Sequence, residues 1–146
     1  MSINVRKATQ EDFPIILSLI NEFALFQKTP ERVRVTLEQM IADQHLFECF
    51  VAETETKEVV GYASAYFVYN SWTGKGLYLD DLYVQEAYRK LGLGKLLIEK
   101  VIALAREEQC KKVRWLVSRW NENAIGFYKR IGGVVDDTEM ICDLYL

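Results

Sequence analysis

The segment Tyr88–Leu97, YRKLGLGKLL, carries two glycines two apart, with Arg89 and Lys90 before them and Lys95 after. A Gly-rich turn between a strand and a helix suits an anion, above all a phosphate. The first turn of a helix offers unpaired N–H groups and the positive end of its dipole. Glycines allow positive φ and close backbone approach, so several N–H groups can converge on one ligand. Two common phosphate motifs fail here. G-x-G-x-x-G needs a glycine where Leu97 stands, and G-x-x-x-x-G-K-[ST] needs a glycine at Arg89 and a hydroxyl at Leu96. What remains is R-x-x-G-x-G, formed by Arg89, Lys90, Leu91, Gly92, Leu93 and Gly94. Alone, that pattern also describes a plain connection with surface basic residues.

Other residues could act beside it. Asp80 and Asp81 are neighbours in LYLDDLYV, a predicted strand. Successive strand residues point to opposite faces, so one carboxylate is expected toward an acceptor and the other toward a structural partner. Tyr128, in GFYKR, is either a phenol able to serve as a general acid or an amphipathic core tyrosine. Trp72, in the loop SWTG, either walls an alkyl-amine pocket and stacks on a cation or anchors its loop. His45 is the only histidine and reads as a solvated loop residue, so a Ser-His-Asp triad or a multi-histidine metal site has little to rest on. Cys49, Cys110 and Cys142 are odd in number and form no C-x-x-C. They are expected to be buried or partly buried free thiols in a reducing cytosol, without a metal, and nothing in their pattern supports a nucleophilic role.

The elements that must position these groups follow from periodicity. INVRKA predicts a first strand. Thr9 opens a helix through TQEDFPIILSLINEFALF, with Asp12 completing a capping-box pattern and Phe13, Ile16, Leu17, Ile20 and Ala24 on its apolar face. A shorter helix follows, capped by Thr36. LFECFVAET and EVVGYASAYFVY form a hairpin, GKGLYLDDLYV the next strand, and Leu93 to Gln109 a long helix with Leu93, Leu96, Leu97, Val101 and Ala105 inward. KVRWLVSRW is a strand, NENAIGFYKRIGG a short helix stopped by Gly132 or Gly133, and EMICDLYL a closing strand. The order βααβββαβαβ gives an α/β (α+β) mixed sheet with helices on both faces.

Composition narrows the function. The chain has 146 residues, half of them apolar, as expected of one domain with one core. A net charge of -3 argues against general nucleic-acid binding. No secretory leader and no run long enough to span a bilayer is visible, so a cytoplasmic protein without a membrane partner is expected.

R-x-x-G-x-G after a strand ending LYV resembles the acetyl-CoA site of the GNAT N-acetyltransferases, and the element order resembles theirs over residues 1–146. VRKAT, SWTGKGLYLDDLYV, YRKLGLGK and WNENAIGFYKR are most similar to the diamine (spermidine/spermine) acetyltransferases. The resemblance implies the GNAT fold, with a mostly antiparallel sheet splayed at its centre and pantetheine inserted there. It implies that Leu82, Tyr83 and Val84 pair with the cofactor, that Arg89 to Lys95 (Arg89, Lys90, Leu91, Gly92, Leu93, Gly94, Lys95) hold its pyrophosphate, and that Asn121, Ala124 and Tyr128 contact it. Tyr128 would protonate the leaving thiolate. Asp80 stands where the family has a glutamate that deprotonates the amine through water. Acceptor contacts map to Phe26, Gln27, Trp72, Asp80 and Glu139. The family's aromatic-acidic pair is Phe26-Gln27 here, which removes one attraction for an ammonium group. The implied function is direct acetyl transfer from acetyl-CoA to a small primary amine by a homodimer. The alternatives are a protein or antibiotic acceptor, a non-catalytic acyl-CoA-binding module, or a nucleotide-binding regulator.

Overall fold

The computed structural model describes residues 2–146. They form two compact bodies, the first ending at Trp115 and the second running Leu116–Leu146. The first holds a five-stranded sheet in the order β1 (Ile3–Lys7), β2 (Glu48–Thr54), β3 (Val59–Asn70), β4 (Gly74–Val84), β5 (Val113–Arg114). Neighbours are antiparallel except β4 and β5, which run parallel.

Two helices cover one face. Helix α1 (Phe13–Phe26) is anchored at its start by Asp12, whose Oδ2 accepts the Thr9 N–H at 2.7 Å. The Arg6 guanidinium donates to both Asp12 oxygens at 2.8 Å and to Glu53 Oε2 at 2.9 Å, tying β1, the helix start and β2 together. Phe13, Ile16 and Leu19 of α1 pack with Cys49, Val51, Tyr62 and Tyr83 of the sheet. Helix α2 (Leu37–Ala42) is capped by Thr36 as expected, and its Met40 joins the same core.

Helix α3 (Leu93–Glu107) packs on the sheet's other strand residues through Leu93, Leu97, Ile98, Val101 and Ala105. Full burial of such an aliphatic side chain stabilises the fold by about 1.5–3 kcal/mol. The expected inward Leu96 is instead 41% exposed and Ile98 is buried, because the stripe turns with the 3.6-residue period from Leu97 through Val101 to Ala105.

The strand expected from KVRWLVSRW shortens to β5. It pairs with β4 only at Leu77 and Tyr78. In the second body, Asn121 caps α4 (Glu122–Arg130) by accepting the Ala124 N–H at 3.2 Å. Gly132, at φ 98°, ends it, with Gly133 N–H reaching the Tyr128 carbonyl at 2.8 Å. The closing strand expected from EMICDLYL does not form. No ladder partner faces it among the described residues, and Met140, Ile141 and Leu144 stay exposed.

Candidate active site

β4 carries the chemistry, and its register explains how. Leu79 pairs with Ala65 and Asp81 with Ser64, so Asp80 is an extra residue, a β-bulge. The bulge corrects the expectation of opposed carboxylates. Tyr78 lies opposite Tyr66, while Asp81 and Tyr83 lie opposite Ser64 and Tyr62. Counting alternate residues from Tyr78 places Asp80 on the same face as Tyr66, and counting back from Tyr83 places Asp81 there too. Both carboxylates therefore sit on the α1 side of the sheet.

Their environment is strained electrostatically. Burial, then the neighbouring Asp80 charge, pushes the Asp81 carboxyl up to about 6, against the opposing pull of a hydrogen bond from Tyr62. That bond runs from the Tyr62 hydroxyl to Asp81 Oδ2 at 2.9 Å, from a side chain with no exposed surface. Desolvation also raises Asp80, although its residue surface is exposed. Tyr66 and Tyr78, with ring centroids 5.1 Å apart, flank the pair, and both phenols are raised by burial and by the Asp80 charge. Cys49 lies opposite Ser64 on the same face. Burial and the charges of Asp12 and Asp81 push its thiol up to about 12, so it is no nucleophile at neutral pH.

The bulge also sets the strand edge. Leu77 N–H donates to the Lys112 carbonyl, so 75, 77 and 79 face β5. Past the extra residue the phase changes. Gln85 N–H donates to Val60 of β3, and the Val84 carbonyl faces the other way, where it accepts the Arg89 Nε–H at 2.8 Å. Alternation then turns the main chain of Leu82 and Val84 to the side away from β3, and that of Tyr83 toward it. No described strand pairs with this edge beyond Tyr78.

The edge leads into the Gly-rich turn. Lys90, at φ 66°, and Gly92, at φ 80°, both adopt the left-handed region, and Gly92 is the N-cap of α3. The first bond of α3 is from Leu96 N–H to the Gly92 carbonyl, so the N–H groups of Leu93, Gly94 and Lys95 have no main-chain partner. Gly94 is helical, not left-handed, and a Cβ built on it meets nothing within 4 Å. Open space over three free amides at a helix N-terminus fits a phosphate group. Lys90, Leu91 and Lys95 are exposed around it.

The other predicted residues are placed as follows. Phe26 ends α1 half-exposed, and Gln27 is its C-cap. Trp72 is 97% exposed at the β3–β4 hairpin tip, so it anchors no core. It lies eight residues along the chain from Asp80, roughly 25 Å in extended geometry. Asn121 and Ala124 meet each other at the start of α4, and Tyr128 lies in that helix with its ring 5.4 Å from Phe127. Burial raises the Tyr128 phenol. Glu139 is exposed, His45 is exposed in a short turn, and Cys142 is exposed where a partly buried thiol was expected. The structure thus gathers Asp80, Leu82, Val84 and the turn on one strand and its exit. It holds Asn121, Ala124, Tyr128 and Glu139 in the second body.

Sequence reasoning missed the bulge, Tyr62 and Glu22, whose Oε2 accepts the Tyr83 hydroxyl at 2.6 Å. The bulge had a signal. Leucines at 77 and 79 give way to Leu82 and Val84, a one-residue slip in alternation across the aspartates. Among the described residues no cluster of His, Cys, Asp or Glu is placed to hold a metal, and no helix is long and apolar enough to cross a membrane.

Comparison with known proteins places the chain among relatives of one family. The chain matches the acetyltransferase (GNAT) family over residues 8–133. It is 36% identical over 142 residues to mouse thialysine N-epsilon-acetyltransferase, covering 90% of this chain and 84% of that protein. It is 35% identical over 140 residues to human spermidine/spermine N(1)-acetyltransferase-like protein 1, covering 89% of this chain and 20% of that one. In fold it is similar to an aminoglycoside acetyltransferase from an uncultured soil metagenomic sample, solved with sisomicin, at a TM-score of 0.81, 20% identity, and coverage of 99% and 96%. With the family matched across most of its length, this chain belongs to the acetyltransferase (GNAT) family.

Proposed function

We propose that this protein transfers the acetyl group of acetyl-CoA to a primary amine of a small molecule, in one step within a ternary complex. The observation that carries the reading is the composition of β4. Within Asp80–Val84 it joins a bulged carboxylate pair to an unpaired edge, and the edge runs into free helix amides. The N–H groups of Leu93, Gly94 and Lys95, with the charges of Lys90 and Lys95, would hold the pyrophosphate, and Leu82 and Val84 would pair with pantetheine. Bound there, the cofactor supplies an acetyl group activated as a thioester.

The residues then divide the proton work. Asp80 and Asp81 attract an ammonium group to the α1 face. Asp80 accepts the amine's proton through water, which frees the nitrogen lone pair to form the new N–C bond. As the C–S bond breaks, Tyr128 donates its phenolic proton to the thiolate. A raised phenol stays protonated at neutral pH, which suits that role. The thiol of Cys49 is buried and protonated, in keeping with direct transfer rather than an acyl-enzyme.

Thialysine and spermidine-type names among the relatives support a small aliphatic amine as acceptor. Gln27, in place of an acidic residue, favours diamines and lysine-like amines over long polyamines. We propose further that residues 1–146 act as one catalytic domain, in line with the family match across both bodies. On the same reading the protein is a cytoplasmic homodimer. The test is thiol release from acetyl-CoA over a panel of lysine, thialysine, ornithine, diamines, spermidine, spermine and an aminoglycoside. Release with short diamines or lysine-like amines is expected. No release with any amine would overturn the reading.

A further inference from the structure

The arginine of the R-x-x-G-x-G motif is already engaged. Arg89 Nε donates to the Val84 carbonyl at 2.8 Å, the last main-chain acceptor on the open edge of β4. Its guanidinium carbon lies 4.8 Å from the Phe26 ring centroid and 5.6 Å from that of Tyr83. The Tyr83 ring is itself fixed. Tyr83 stacks on Phe23 at 5.1 Å and donates its hydroxyl to Glu22, which also accepts from Gln85 Nε2 at 3.2 Å. Arg89 is thus gripped by the end of α1 and the end of β4 together. A guanidinium beside two aromatic rings, with its Nε donating to a carbonyl, is positioned by a planar fork and cation–π contact that lysine does not reproduce.

We infer that Arg89 is a positioning residue, a latch that fixes the Gly-rich turn against β4 and α1, and not a ligand of the phosphate. Charge for the anion comes from Lys90 and Lys95, and hydrogen bonds from the helix amides. The latch also engages the Val84 carbonyl, the last main-chain acceptor on that edge. Phe26 belongs to the latch, so the end of α1 also steadies the Gly-rich turn. The identity of the anion rests on the acetyl-CoA reading above, but the latch does not.

The test uses two variants, Arg89→Lys and Phe26→Leu, with two readouts. The first is amide exchange in the ligand-free protein at Tyr88, Arg89 and Leu96, whose N–H groups are hydrogen-bonded within the turn. The second is the dissociation constant of CoA by calorimetry. The latch predicts that both variants speed exchange at these amides and weaken CoA binding, by about tenfold or more for Arg89→Lys. Arg89→Lys keeps the charge, and Phe26→Leu alters no charge at all. A phosphate ligand predicts the opposite pattern: unchanged exchange in both, weaker CoA only for Arg89→Lys. That result overturns the inference, as does faster exchange with unaltered CoA affinity. A wild-type protein that binds no CoA retires the acetyl-CoA reading, while exchange still decides for or against the latch.

Discussion

Replacing Asp81 by Asn should make the protein more stable at pH 8 and leave it nearly unchanged at pH 4. Asn keeps an oxygen for the Tyr62 hydroxyl at 2.9 Å and fills the same space, so little but the charge is removed. The folded carboxyl is raised from 3.8 to about 6, first by burial and then by Asp80. A carboxyl raised on folding binds its proton more tightly in the native state. It therefore stabilises the fold below pH 3.8 relative to higher pH, and that contribution is lost as the pH climbs to about 6. The full difference is ~3 kcal/mol at 1.36 kcal/mol per pH unit. That difference already contains the opposing pull of the Tyr62 hydrogen bond on the charged form. The expected gain is ~1–3 kcal/mol at pH 8 by this linkage, shrinking toward zero at pH 4. Urea unfolding of both proteins at pH 4, 6 and 8 measures it. Asp12 and Glu53, which the Arg6 guanidinium holds below the usual carboxylate range, cancel in the difference between the two proteins. A variant no more stable at pH 8, or equally stabilised at pH 4 and pH 8, would refute the assignment of Asp81 as a carboxylate held against its preference.

Other perturbations should act as follows. Tyr128→Phe should lower kcat and kcat/KM together by roughly 10²–10⁴-fold with little change in CoA affinity, and near-normal turnover would make it a packing residue. Gly94→Val adds atoms where the ligand-free protein has open space, so its melting temperature should barely move while CoA affinity falls; equal affinity would remove the turn from the cofactor site. Arg6→Met leaves Asp12 and Glu53 without their cation, so it should destabilise at pH 7, and the deficit should close below pH 4 as the carboxyls protonate. A deficit constant with pH would show that packing of the Arg6 stem, not its charge, is what matters. Gln27→Glu should improve turnover of spermidine relative to short diamines, and an unchanged ratio would remove Gln27 from acceptor choice.

Much of this was legible in the sequence, for reasons that differ from residue to residue. The apolar spacing of Phe13 and Ile16 and the Thr36 cap are local signals, and both stand in the structure. The turn after LYV was legible because glycine and basic residues mark it directly. Its inner workings were not. A motif places Gly92 and Gly94 equally, yet only Gly92 takes the left-handed conformation, since Gly94 already belongs to α3. The side chain of Arg89 is decided by Phe26, which lies more than sixty positions earlier, and no local pattern reports such a contact. The closing strand failed because alternation states a capacity to pair and not the presence of a partner.

The extra residue at Asp80 puts the two halves of β4 out of phase by one position. Below it, odd-numbered residues offer their main chain to β5; above it, even-numbered ones offer theirs to the side where no described strand pairs. An idealised strand that kept Asp80 in step would turn the main chain of Leu82 and Val84 toward β3 and point that of Asp81 and Tyr83 outward. Anyone transplanting this site onto another sheet must carry the irregularity along with the side chains.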